Sequence, residues 1–448
     1  MPQQTHPTFT ERGVAWGLQA VNTFASSDLL DRLGIRETAE KILFTGSRQS
    51  VRAAGAAGRA FKATSKLAGP QRQPRASSPR EQFDLTPTRE QRLMADSVRD
   101  FALEFVRPIA RDADRDLAAP PELLEQANEL GLAVVGVPES LGGMFAERSA
   151  VTSVLLAEAF AQGDLGFAIA VLAPAGVATA LSLWGDADQQ ATYLPEFVKD
   201  NPPAAAVAVS EPHPLFDPFK LRTTATRTAD GYTLNGVKSL VPRAAEDELF
   251  IIAADLVDGG PPTPALFIVE SKTAGLSTEP EPAMGLRAAS TGRVILEDVN
   301  VPAGALLGDG DLDIYKELIA LGRLGWAAVA VGTGQAVLDY VKTYVNDRIA
   351  FGEPISNRQA VAFKVADIAI ELDGLRLVTY RAAALIDAGK EYTKEVTLAR
   401  TLATKYGMQI GSDGVQLLGG HGYTKEHPVE RWYRDLRAAG LIEGVLVA

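Results

Sequence analysis

Two stretches near the end of the chain carry residue types that could do chemistry. Glu443 is the only acid in Leu441-Ile442-Glu443-Gly444, and burial among apolar neighbours raises a carboxyl pKa towards the range useful for a general base. Upstream lies the loop Gly419-Gly420-x-Gly422-Tyr423. Adjacent glycines allow a backbone to approach a bulky anion closely. A proton-abstracting carboxylate near a large anionic ligand is the chemistry these residues suggest.

The composition narrows the alternatives. At 448 residues the chain is too long for one core and suits two or three domains. The absence of cysteine excludes disulfides, thiolate metal sites and a cysteine nucleophile. Four histidines with no HExxH-type pair argue against a catalytic metal. A net charge of -12 argues against nucleic acid as the main partner. No run is expected to approach the roughly 18 apolar residues that span a bilayer. No apolar signal core follows Met1, so a cytoplasmic location is expected.

The elements that must position Glu443 and the glycine loop fall into blocks. Residues 1–82 form a basic extension and linker. Its Ala/Gly-rich run Ser47–Gly69 could touch an anionic membrane or pack as a helical arm on protein. Packing is the favoured reading, because small side chains bury little area. Residues 83–203 read as helices, starting at Thr86-Pro87-Thr88, Pro120-Pro121 and about Ser149. Residues 204–305 change to strand patterns: Ala204–Pro212, Gly231–Val241, Glu248–Leu256, Ala265–Ser271 and Gly292–Pro302. Asn235-Gly236 is a hairpin signal. Residues 306–448 return to long helices that suit a four-helix bundle: Leu312–Arg348, Asn357–Gly389, Tyr392–Gly419 and about Val429–Ala439.

The stretch from Gln416 to Gly444, with its GGxGY…PxxR…RD…EG spacing, resembles the acyl-CoA dehydrogenase family, and the resemblance covers about residues 83–448. It implies an α+β multidomain fold: an N-terminal helical domain, a middle β-domain and a C-terminal four-helix bundle. The family reaction is α,β-desaturation of an acyl-CoA thioester with FAD as cofactor. Glu443 falls on the catalytic base. Arg323 matches an arginine near the CoA portion of the substrate, and beside it Gly322 leaves no alternative base on that helix. Arg348, Phe351 and Gln359 match a segment that meets the FAD pyrophosphate of a neighbouring subunit. A guanidinium suits that task by offering paired donors to phosphate oxygens. Gln416, Gly419 and Gly420 match the other half of that contact, and Ser210, in Ser210-Glu211-Pro212, matches a hydroxyl that touches the flavin.

Departures cluster on the flavin-ring side. Phe216 stands where the family has serine, Leu240 where it has tryptophan, and Pro242 where a hydroxyl reaches flavin N5; Val445 replaces a threonine. Proline has neither hydroxyl nor N–H. Three expectations follow. The first is an acyl-CoA dehydrogenase of fatty-acid or related catabolism, passing electrons to an electron-transfer flavoprotein. The second is a non-catalytic or half-site subunit in a heterotetramer with a paralogous chain, rather than a homotetramer. The third, an oxidase or flavin-dependent monooxygenase on the same fold, is disfavoured because Glu443 is retained.

Overall fold

Thr88 and Gln91 cap each other at the start of helix α1 (Arg89–Phe101): the Gln91 N–H donates to Thr88 Oγ1, and the Thr88 N–H donates to Gln91 Oε1. Pro87 therefore precedes the cap instead of sitting in the first turn. The structure is a computed structural model that describes residues 85–199, 201–281 and 283–448. The expected basic extension, residues 1–82, lies outside the described residues.

After α1 come a π turn (Ala102–Val106), α2 (Arg107–Asp116) and α3 (Pro121–Asn128), whose first residue is a proline, as the Pro-Pro signal predicts. Ser149 and Asp164 each accept a hydrogen bond from an amide three residues on. These caps begin α4 (Ala150–Ala161) and α5 (Leu165–Trp184), and α6 (Ala187–Phe197) closes the block. Helix α5 corrects one expectation. By length and composition it is apolar enough to cross a membrane, yet it is almost wholly buried inside the protein. It is apolar on every side because protein surrounds it on every side.

The sheet contains β1 (Ala205–Ala208), β2 (Thr224–Arg227), β3 (Gly231–Val241), β4 (Leu249–Val257), β5 (Thr263–Glu270), β6 (Leu276–Pro280), β7 (Gly292–Pro302) and β8 (Leu306–Leu307). Its order is β6-β7-β3-β2-β4-β5-β8, with β1 paired in parallel to the first half of β4. Asn235-Gly236 makes no hairpin turn. It is an irregularity inside β3, where the register against β7 shifts between Leu234 and Gly236. Gly236 has φ +147° and lies against Thr223, whose Cα would stand 2.6 Å from an added Cβ. Strands β2 and β6 lack the apolar run that marks the similarly short β1, and β8 is only two residues long.

The helices then return as α7 (Leu312–Asp347), a small ribbon (Ile349–Ala350 with Glu353–Pro354), α8 (Gln359–Asp387), α9 (Thr393–Leu417) and α10 (Val429–Leu436). Gly334 and Gly414 let α7 approach α8 and α9: an added Cβ would stand 2.9 Å from Leu372 and 2.8 Å from Val337 respectively. Gln335 bonds Arg376, and Lys364 bonds Asp413. These pairings run α8 antiparallel to the other two. The end of α7, the start of α8 and the end of α9 thus share one end of the bundle.

Candidate active site

A short arm, Leu441–Ala448, leaves the 3₁₀ turn after α10 and lies along β1. The Val445 N–H donates to Val207 O at 2.9 Å, and Gly444 bridges Ala208. Ser210, just beyond β1, accepts the Glu443 N–H at 3.0 Å and donates to Glu443 O at 3.3 Å. Trp326 of α7 donates its indole N–H to Gly444 O at 3.0 Å. Gly444 itself is required, since its φ is +75° and an added Cβ would stand 2.6 Å from Val209 Cγ2. Backbone bonds on two sides therefore fix where Glu443 points.

Glu443 is 7% exposed, and its carboxylate faces two arginines. Arg323 Nε lies 3.1 and 3.0 Å from the two oxygens, and Nη2 lies 2.9 Å from Oε1. Arg400 Nη2 is 3.4 Å from Oε1 and donates to Ile442 O at 2.8 Å. The apolar surroundings expected for Glu443 are thus corrected: the neighbours along the chain are apolar, but the groups that face the carboxylate are cations. Arg323 is held on the candidate base itself. Burial pushes the Arg400 guanidinium down, and Glu443 opposes that shift. Sequence reading missed Arg400. Its signal was a charge on the buried stripe of α9, beside Val396, Ala399 and Ala403. All three groups line a cleft of about 770 Å³, together with Thr401, Lys405 and Arg437.

The Ser210-Glu211-Pro212 segment is anchored from beneath. Glu211 accepts from the Lys238 ammonium at 2.9 Å and from the Thr223 and Arg222 amides at 2.9 and 2.8 Å. Burial pushes its carboxyl up, but Lys238 and the amides outweigh that and hold it at about 2. Burial brings Lys238 down to about 8 against the pull of Glu211. A second clamp joins two further segments of the sequence. Asp435 accepts the Leu286 N–H at 2.6 Å, and Arg434 bonds Met284 O and Asp114. Asp435, fully buried and near Asp164, is pushed up to about 7.

The remaining candidates fall in two groups. Arg348, Phe351, Gln359, Gln416, Gly419 and Gly420 are all exposed, on the shared end of the bundle. The side chains of Arg348, Gln359 and Gln416 make no bond among the described residues. No described residue lies within 4 Å of a Cβ placed on Gly419 or Gly420, and Gly419 has φ +57°. This open, donor-rich surface fits a diphosphate. The ring-side positions offer less. Pro242 is buried without a donor, the Leu240 N–H is given to Glu281 at 2.8 Å, and Phe216 stands edge-on to His213. The Ser210 hydroxyl is engaged by Glu443. Ligand atoms of His421, Glu426 and His427 come within 4.8 Å of one another on the loop before α10, although the sequence pattern argues against a catalytic metal.

A helical block, a sheet and a helical bundle, with a buried carboxylate presented between sheet and bundle beside an open cleft, define an enzyme-like scaffold. Comparison with known proteins makes the class specific. Family models for the acyl-CoA dehydrogenase N-terminal, middle and C-terminal domains match residues 88–201, 206–299 and 310–446. The chain is 32% identical to a 3-(aryl)acrylate reductase of Clostridium sporogenes, over 80% of this chain and 95% of that one. It is 33% identical to the mitochondrial short-chain specific acyl-CoA dehydrogenase of Bos taurus, over 79% and 86% of the two chains. The structure of butyryl-CoA dehydrogenase from Megasphaera elsdenii superposes with a TM-score of 0.74 at 28% identity, covering 80% of this chain and 95% of that one. The chain belongs to the acyl-CoA dehydrogenase family, whose members are FAD-dependent oxidoreductases acting on CH–CH donors.

Proposed function

We propose that this protein desaturates the α,β-bond of an acyl-CoA thioester. The observation that carries the reading is the placement of Glu443: buried, fixed through its backbone to Ser210, and opening onto a substrate-sized cleft. Glu443 takes the α-proton. Arg323 and Arg400 hold its two oxygens in one orientation, so the carboxylate need not be ordered during the reaction. Lys405 and Arg437 give the cleft positive charge suited to the phosphates of CoA.

Arg348, Gln359, Gln416, Gly419 and Gly420 would hold the diphosphate of FAD, with Phe351 in the same segment and Ser210 on the ring side. Bound FAD supplies the acceptor for the β-hydrogen. An electron-transfer flavoprotein would then take the electrons onward.

The outer face of α8 supports an oligomer. Phe363, Ile370 and Leu377, spaced by seven residues, are 62%, 69% and 57% exposed. Such an exposed apolar stripe, without a partner among the described residues, suits burial against another subunit. The sparse ring side around Pro242, Leu240 and Ser210 favours a second reading, a half-site subunit that lends its diphosphate-binding end to a paralogous chain.

Expression of the chain alone, with flavin measured per chain and turnover of an acyl-CoA panel with an artificial acceptor, separates the readings. About one FAD per chain with turnover abolished by Glu443→Gln supports the desaturase. Colourless protein that gains flavin and activity only with a paralogue supports the half-site subunit.

A further inference from the structure

Glu443 lines the cleft already described, and three residues further on Leu446 lines a second space. That second space is mostly apolar, with Leu132, Val135, Leu156, Leu172 and Gly325 in its wall, and only about 40 Å³ of it is free. The missing volume is taken by the chain itself. Leu446, Val447 and Ala448 lie in that wall and are 4%, 7% and 5% exposed.

Close packing and hydrogen bonds hold this segment in place. The Leu446 N–H donates to Gly444 O at 2.9 Å, the Ala448 N–H donates to Leu321 O at 3.3 Å, and Arg148 donates to Ala448 O. Two glycines make room for it. A Cβ on Gly325 would stand 2.7 Å from Leu446 Cβ, and one on Gly176 would collide with the Val445 carbonyl.

An alkyl chain bound at Glu443 must put its α-carbon at the carboxylate and its remaining methylenes in apolar space, since each buried CH₂ tightens binding about fourfold. Thr, Arg and Lys side chains dominate the cleft, where Met408 is the one large apolar group among the described residues. The second space is mainly apolar, but little of it is open. We infer that Leu446–Ala448 is the specificity-determining segment of this protein: it occupies the acyl pocket and restricts the site to short acyl thioesters. This rests on the acyl-CoA reading above.

The test uses S-butyl-CoA and S-octyl-CoA, thioethers that cannot be desaturated, titrated calorimetrically into the flavin-loaded protein. The wild type should bind S-butyl-CoA at least about ten times more tightly than S-octyl-CoA. Leu446→Ala/Val447→Ala should cut that ratio by at least about tenfold, mainly by tightening S-octyl-CoA. The single Leu446→Ala, a milder change, should move it in the same direction if the double variant unfolds. Equal or tighter S-octyl-CoA binding by the wild type overturns the inference. So does an unchanged ratio in the variants, or no binding of either thioether to any of these proteins. Analogue binding with the expected ratio but no turnover of butanoyl-CoA defeats the desaturase reading alone. Turnover of butanoyl-CoA without the ratio defeats the pocket assignment alone.

Discussion

The Arg323 guanidinium spans both carboxylate oxygens of Glu443 across 120 residues of sequence, with three contacts of 2.9–3.1 Å. The candidate base is therefore positioned by α7, the helix that also carries Trp326 against Gly444. Glu443→Gln keeps the shape and should lower kcat by about 10²–10⁴-fold, the usual contribution of a general base, with flavin content unchanged. Arg323→Ala leaves the carboxylate to Arg400 and should cost about 10–100-fold in kcat through lost orientation. Steady-state turnover checks both, and an undiminished Glu443→Gln enzyme would remove Glu443 from the reaction.

Gly444 tests the backbone side of the same placement. Alanine there meets a left-handed φ of +75° and Val209 Cγ2 at 2.6 Å. Gly444→Ala should cost about 1–3 kcal/mol of stability and displace Glu443 from Ser210. The expected readout is a lower Tm together with a fall in kcat.

The Glu211–Lys238 pair sets the acid limit of the sheet. Glu211, with an ordinary value of 4.5, sits at about 2 when folded. Its stabilisation is complete above the unfolded value and is lost as pH falls through the folded one, between about 4.5 and 2. Lys238→Met strands the carboxylate and should cost about 3–5 kcal/mol, with acid unfolding at higher pH. Circular dichroism followed against pH reads both effects.

Asp435 has the opposite sign. Its carboxyl is raised from 3.8 to about 7. The unfolded chain releases this proton first, so the contribution to stability is full below about 3.8 and is lost as pH rises towards 7. Asparagine can still accept the Leu286 N–H. Asp435→Asn should therefore gain in Tm relative to the wild type between pH 5 and pH 8, and a constant difference would refute the assignment.

Arg348→Ala removes a guanidinium that has no side-chain bond among the described residues, on the surface proposed to hold the FAD diphosphate. Loss of one charge-assisted bond, about 1.5–3 kcal/mol, should weaken FAD binding roughly 10–100-fold. Flavin retained through gel filtration measures it, and turnover at saturating FAD should recover.

Local rules in the sequence determined much of this protein. The long helices α7, α8 and α9 and strands β3 and β7 follow from periodicity, caps and turn residues, which act over a few positions. The spacing from Gln416 to Gly444 marked the family and Glu443 together. Tertiary structure alone decided what surrounds that carboxylate, because Arg323 and Arg400 reach it from separate helices. It also turned Asn235-Gly236 into a bulge, since β7 holds β3 extended on both sides of it, and it buried the whole circumference of α5. The placement of Leu446–Ala448 in an apolar space beside α5 and α7 was equally out of sight, because a short apolar run says nothing about which part of the core will receive it.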